Sequence, residues 1–527
     1  MTKKFSLNDR DAIVIIGSGA GGGTLANELA QKGVNKIVLL EAGKHFTQED
    51  YENDEVKMFQ KMSWLDKRVS AGTWDNTLNS PNMPVWHCKA VGGTTNFWGA
   101  ITPRIMPYEF KPKTTYGNIP EANLLDWPIS YEEIEPYYDL AERKMGVAGS
   151  KASGMPPLPK TNKYKLVEFG ARKIGYRDIG QPQAINSVVY DGRPACQQIG
   201  FCYSGCKIGA KWSTLYTEIP RAIETGRVEL RVESMALQIQ HDKTGKVTGV
   251  LYADREGKHH LQKARIVVLA GNSIESPRLL LNSASSMFPQ GLANSSGQVG
   301  RNYISHNHAG GGYSIFKGPV NMFRGNSTSV IVRDEMKHDP SRGFAGGYFL
   351  VGIGVGLPFM AGGIMRPGAW GREFTSVVDN YDHMISFYLL GEQMPSKQNR
   401  ITLHATEKDQ YGQPIPVVSV SYHANDAAMK KHALAQWQKL ADAAGAVRTI
   451  QSPDWQAAHN MGTNRMSEKA EDGVFNKWGQ AHDVKNLFVS DGSAFTSGAA
   501  ANPTLTIVAL AIRQSEFIVA KMKAMEI

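Results

Sequence analysis

Gly17, Gly19 and Gly22 form a G-x-G-x-x-G set between the apolar run of residues 12–16 and a helix-compatible segment at 24–32. The first glycine permits a tight turn, and the second lets a pyrophosphate approach the backbone. The third lets helix and strand pack closely, which leaves the helix N-terminus facing the phosphates. Glu41 closes the next apolar run, residues 36–41, about twenty residues on, where a carboxylate accepts hydrogen bonds from ribose hydroxyls. Strand, helix, strand and acid together predict a dinucleotide site. A carboxylate at Glu41 disfavours the 2′-phosphate of NADP, while this motif alone leaves FAD and NAD both open.

A second group is Cys196, Cys202 and Cys206, spaced C-x₅-C-x₃-C in a glycine-containing loop. Thiolates this close in sequence can ligate an iron–sulfur cluster, and three ligands suit [3Fe–4S] better than a four-thiolate cluster. The plainer alternatives are free thiols, or one disulfide with a leftover cysteine. Zinc is weaker, because no histidine lies near enough to complete four ligands. Cys88 is far from the trio in sequence and is expected not to ligate.

Two further segments belong with the glycine turn. Gly92-Gly93-Thr94-Thr95-Asn96-Phe97-Trp98 offers paired glycines and then hydroxyl and amide side chains, suited to lie against a flat ring and a polar chain. Near the other end, Asp491-Gly492 follows a short apolar run, and Asn502-Pro503-Thr504 opens an apolar helix expected over about 504–521. That last segment can return to the dinucleotide and close over its reactive end.

The elements that must position these residues can be read coarsely. Residues 12–16, and the apolar stretches 37–40 and 266–270 within segments 36–41 and 265–270, read as parallel strands covered on both faces. Residues 228–264 alternate, with Thr244-Gly and Glu256-Gly as turns, and read as a three-stranded meander. Helices are expected at 131–146 and 426–443, a long excursion at 50–85, and a surface connection at 150–165. Residues 310–455 carry many short β-like runs and suit a separate antiparallel lobe. Phe359-Met-Ala-Gly-Gly-Ile-Met365 and Trp370-Gly-Arg-Glu-Phe374 are expected to shape the substrate pocket.

The bulk numbers set the class. The chain has 527 residues, 42% hydrophobic and 20% charged, and is expected to form two or more lobes. Its net charge is +9, but the basic residues are scattered. That argues against nucleic acid and mildly favours an acidic docking partner or substrate. No apolar stretch of about eighteen residues exists to span a membrane. The N-terminus shows neither an apolar signal region nor a twin arginine, and four cysteines are too few for a disulfide scaffold, so on its own sequence the chain is expected to be cytoplasmic.

The dinucleotide turn, Gly92-Gly93-Thr94, Gly271-Asn-Ser-Ile-Glu-Ser276-Pro277, Asp491-Gly492 and Asn502-Pro503 occur in the order found in the glucose–methanol–choline (GMC) family of flavin oxidoreductases. The chain resembles that family over essentially its whole length. The resemblance implies FAD, and an α/β fold with a discontinuous Rossmann-like FAD lobe (1–50, 86–105, 190–309 and 456–527, with the cysteine loop at 194–210). The remainder (51–85, 106–189 and 310–455) would form a substrate lobe on an antiparallel sheet. It places His459 on the family's catalytic histidine and Asn502 on its second catalytic position. Gly17, Gly19, Gly22, Glu41, Gly92, Gly93, Thr94, Asn96, Gly271, Asp491, Gly492, Pro503 and Thr504 would contact the cofactor.

Some relatives attach FAD to a histidine in the second glycine loop. Here that region reads Thr95-Asn96-Phe97-Trp98, so non-covalent FAD is expected, with nearby His87 a structural histidine. Membrane-associated bacterial dehydrogenases of glucose, fructose and similar sugars are similar in the cysteine segment and carry a [3Fe–4S] cluster there, although Lys207 stands where they have proline. This similarity implies a sugar, polyol or glycoside as substrate, a small escort subunit and a cytochrome acceptor. An escort with a twin-arginine signal would leave a periplasmic, membrane-associated location open. An oxygen-using alcohol oxidase and a dehydrogenase of aromatic or sterol alcohols are the alternatives.

Overall fold

The computed structural model describes residues 5–61, 77–78, 86–307, 311–364, 370–452 and 458–527. Most of the expected excursion at 50–85, and part of the stretch from Phe359 to Met365, lie outside the described residues.

A five-stranded parallel sheet is assembled from four distant parts of the chain. Its order is Leu487–Val489, Ile266–Leu269, Ile13–Ile16, Ile37–Leu40 and Val228–Arg231. The three central strands, IVII, IVLL and IVVL, are β-branched or leucine throughout and buried at every position, as a sheet covered on both faces demands. Val228–Arg231 corrects the sequence reading: it is the edge strand of this sheet and not part of the meander. The meander is Met235–His241, Val247–Ala253 and His259–Lys263, turning at the two expected Gly positions.

Helix Ala20–Gln31 follows the first strand, and helix Thr504–Lys523 packs along it and against Tyr131–Met145. Ser130 caps the last of these through a capping box with Glu133. The chain therefore comes back at its end onto the helix with which the dinucleotide motif began.

The other main sheet is antiparallel and six-stranded, ordered Ala446–Ser452, Gly311–Phe316, Met384–Gly391, Tyr348–Ile353, Thr328–Val332 and Ile179–Gly180. Helices Ala424–Ala444 and Asn162–Lys173 cover one face. There Trp437 stacks on Phe387 at 4.3 Å between ring centroids and donates its indole N–H to Ser314 Oγ at 3.0 Å. Helix Asn162–Lys173 begins inside the stretch read as a surface connection. Among the described residues no helix is long and apolar enough to cross a membrane.

Candidate active site

A long cavity opens at the carboxyl ends of the strands Ile13–Ile16, Ile37–Leu40 and Ile266–Leu269. The chain crosses from the middle strand to neighbours on both sides, so this is the switch point at which open parallel sheets bind ligands. Gly17, at φ +105°, is backed against Ala270, whose carbonyl oxygen would lie 2.3 Å from an added Cβ. At Gly22 an added Cβ would lie 2.0 Å from Gly17 O. Gly19 differs: a Cβ there would meet nothing within 4 Å, and the residue lines the cavity. The turn is thus packed where the fold needs it and open where a pyrophosphate would lie. That open cradle fits the dinucleotide.

Glu41 is fully buried at this end. One carboxylate oxygen accepts from Ser18 N–H (3.1 Å) and Ser18 Oγ (2.6 Å), the other from Gly43 N–H (2.9 Å). Burial raises its pKa, against the pull of these hydrogen bonds. A carboxylate has about four acceptor sites, so capacity remains for ribose hydroxyls. Sequence reasoning missed the neighbouring ion chain, in which Lys89 meets Glu275 (3.2 Å), Glu275 meets Arg278 (3.1 Å) and Arg278 meets Asp409 (2.8 Å). Lys89, Glu275 and Arg278 all line the cavity. Arg278 and Glu275 lie in the Gly271 motif, but Lys89 and Asp409 have no local signature.

Gly93, Thr94, Gly271, Asp491, Gly492, Pro503 and Thr504 line the cavity as well. Asp491 accepts from Asn272 N–H (2.9 Å), Ser276 Oγ (2.6 Å) and Ser493 N–H (2.8 Å), tying helix Asn272–Asn282 to the C-terminal return. Gly92 and Asn96 stand behind this wall. The Asn96 amide donates to Val91 O (2.9 Å) and accepts from Ser213 Oγ (2.8 Å), so its side chain shapes the loop from within. His87 is buried and lines the cavity.

At the far end His459 and Asn502 come together, with Asn502 Nδ2 and His459 Nε2 3.0 Å apart. Tyr203, Ile353 and Tyr388 line the same cavity. Trp370, expected to shape the pocket, is 84% exposed. Sequence reasoning also missed His306, whose Nδ1 lies 2.9 Å from His459 Nδ1. It sits in a polar stretch without a motif, and only a non-local strand register brings it here.

The three cysteines are free thiols in a loop that Lys211 ties to residues 96–98 of the second glycine loop. Cys196 Sγ accepts from Gln198 N–H (3.3 Å), Cys202 Sγ from Ser327 N–H (3.5 Å) and Cys206 Sγ from Lys211 N–H (3.4 Å). Burial, and then the neighbouring Cys202, push the Cys196 thiol up to about 12. Three thiols are the donor set that a three-thiolate cluster would use. Among the described residues, however, no three His, Cys, Asp or Glu side chains are gathered into a metal-binding group. Cys88 is buried in the cavity wall, where desolvation raises its pKa.

Family comparisons agree with this geometry. Models of the GMC oxidoreductase family match residues 121–308 and 395–511. The chain is 33% identical to 2-methyl-1,2-propanediol dehydrogenase of Mycolicibacterium austroafricanum, over 97% of this chain and 95% of that protein. It is 29% identical to the fructose dehydrogenase large subunit of Gluconobacter japonicus, over 97% of this chain and 98% of that one. Pyridoxine 4-oxidase from Mesorbium loti shares the fold, with a TM-score of 0.68 at 15% identity over 97% of this chain and 99% of that chain. The chain belongs to the GMC oxidoreductase family. It is an FAD oxidoreductase that acts on CH–OH groups.

Proposed function

We propose that this protein is a dehydrogenase that oxidises a hydroxyl of a sugar, polyol or glycoside, with FAD held non-covalently along the cavity from Glu41 to Asn502. The observation that carries this reading is the His459–Asn502 pair at the end of a cradle open only at Gly19. The names of the two relatives, a diol dehydrogenase and a fructose dehydrogenase, favour a polyhydroxylated substrate. When bound, FAD supplies the acceptor for the carbon-bound hydride. His459 Nε2 takes the hydroxyl proton, since a neutral imidazole is well matched to that task near pH 7. Asn502 Nδ2 donates to the same oxygen and fixes its position, so the alcohol leaves as a carbonyl with its proton on His459. Holding the alcohol in this geometry is the kind of positioning that lowers a barrier by removing orientational freedom before reaction.

Anaerobic bleaching of the flavin across a panel of sugars, polyols and simple alcohols tests the reading. His459→Ala is expected to keep FAD and lower the rate of bleaching by about 10²–10⁴-fold. Near-normal bleaching in that variant would remove His459 as the base. Peroxide formation at the full turnover rate without added dye would make the protein an oxidase.

We propose further that electrons leave past Cys196, Cys202 and Cys206, with a [3Fe–4S] cluster as carrier and a separate cytochrome subunit as acceptor. Two observations support this exit. Tyr203, next to Cys202, lines the cavity, and Lys211 Nζ ties Cys202 O to the carbonyls of Asn96 and Trp98 in the flavin loop. Iron and acid-labile sulfide in protein purified without oxygen would bear the cluster out; an iron-free protein of full activity would sink it.

A further inference from the structure

We propose that His306 is a positioning residue that holds His459 in the tautomer with hydrogen on Nδ1 and a bare Nε2. The inference rests on the reading of His459 as the base, and it begins with strand register. Ile304 and Met461 form an antiparallel bridge, with hydrogen bonds of 3.0 and 2.8 Å in the two directions. His306 lies two residues on from Ile304 and His459 two back from Met461, and just beyond this isolated bridge the two side chains meet. Their rings meet edge to face, 5.0 Å between centroids. His306 takes a φ of +63°, a left-handed conformation uncommon for a residue with a side chain. Such outliers gather at functional sites, where the surrounding structure holds them in place.

The hydrogen-bond directions follow from what each end of the chain can do. His306 Nε2 lies 2.8 Å from Gly498 O. A carbonyl only accepts, so His306 carries its hydrogen on Nε2. His306 is fully buried, and desolvation outweighs its backbone hydrogen bonds and lowers its pKa to about 4. A neutral imidazole has a single N–H, so His306 Nδ1 is an acceptor. The contact of 2.9 Å then requires the hydrogen to come from His459 Nδ1, which leaves His459 Nε2 bare. The far end agrees: Asn502 Nδ2 only donates, and it faces that same Nε2 at 3.0 Å. One direction of donation runs from Asn502 through His459 and His306 to Gly498. This orders the base before substrate arrives and also sets which way the Asn502 amide points.

The neutrality of the partner has a consequence. When His459 takes the substrate proton it becomes a cation facing an imidazole instead of a carboxylate. A carboxylate there would hold the proton more tightly, so His306 favours its release in the next half-reaction. Among the described residues, Glu109, which accepts from Ala500 N–H, and Glu392, beside the Gln393 that accepts from Ser305 N–H, are acids on the elements around this pair. Burial pushes both of them toward the protonated form, to about 7 and about 8.

The test measures anaerobic flavin reduction against pH in the FAD-loaded enzyme and in His306→Leu, His306→Asn and His459→Ala. Leucine removes the acceptor, whereas Asn Oδ1 can stand where Nδ1 stood. His306→Leu is expected to reduce flavin roughly 10–100-fold more slowly, part of the value of a general base, and to displace the acid limb of the pH profile. His306→Asn should stay within about tenfold of the parent and keep its profile. Equal losses in both variants with an unmoved profile, or no loss in His306→Leu, would overturn the assignment. If His306→Leu does not fold, ¹⁵N-histidine spectra of the unmodified enzyme decide: a bare Nδ1 on His459 rules the assignment out. Failure of the underlying reading looks different, because His459→Ala would then itself reduce flavin normally.

Discussion

Lys211 ties the cysteine loop to the second glycine-rich loop through a single side chain. Its ammonium is enclosed and donates to the carbonyls of Asn96 (3.0 Å), Trp98 (2.9 Å) and Cys202. Desolvation lowers its pKa to about 8, so it remains mostly charged at neutral pH. Lys211→Met would fill the space with an apolar chain and leave three carbonyls unpaired, each costing about 1–3 kcal/mol. The expected result is a lower Tm and loss of FAD during gel filtration, with the cysteine loop becoming reactive toward a thiol reagent. Parent-like Tm and FAD retention would show that the carbonyls find other donors.

At the level of elements, the glycine turn separates a packing role from a binding role. Gly22→Ala would drive a methyl into Gly17 O and Ala270, so strand Ile13–Ile16 and helix Ala20–Gln31 must move apart. Gly19→Ala has open space and an ordinary φ of −66°. Its methyl would occupy the approach of the pyrophosphate. Gly19→Ala is therefore expected to fold with a parent-like apo Tm and bind FAD weakly, whereas Gly22→Ala should lower the apo Tm itself. The same drop in apo Tm for both variants would refute the distinction.

Much at this scale was legible in the sequence, because short runs such as IVII and IVVL declare strands covered on both faces, and the glycine pattern declares the turn. Long helices such as Thr504–Lys523 were also readable from their apolar faces. What was not legible depends on pairing between distant segments. Val228–Arg231 alternates like the meander beside it, and only its register with Ile37–Leu40 makes it a parallel edge strand. His306 meets His459 through a bridge between residues 304 and 461. The hydrogen bond from Ser213 Oγ to the Asn96 amide depends in the same way on segments brought together by the fold.

Across the whole molecule, a set of buried acids sits where the C-terminal return meets the large antiparallel sheet. Glu109 accepts from Met106 N–H and Ala500 N–H, both at 2.7 Å, and so holds the segment that leads into Asn502. Glu392, at the end of strand Met384–Gly391, accepts from Tyr116 OH at 2.7 Å, while its other oxygen is buried with no hydrogen-bond partner among the described residues. Asp426 caps helix Ala424–Ala444 and accepts from Met394 N–H. Desolvation is the largest cause raising all three, to about 7 for Glu109, about 8 for Glu392 and about 6 for Asp426. A carboxyl whose pKa is raised on folding binds its proton more tightly in the native state. Its stabilising contribution is therefore complete below the unfolded value, about 4.3 for Glu, and is lost as pH rises through the native one. For Glu392 that window runs up to about pH 8. The protein is expected to lose thermal stability steadily between pH 5 and 8.5, with no ion pair needing to break. Glu392→Gln keeps the shape and removes the ionisation, so its Tm should fall less steeply over that range and exceed the parent's at pH 8.5. Parallel Tm–pH curves for the two proteins would show that Glu392 is already ionised in the native state, and that its orphaned oxygen is satisfied in some other way.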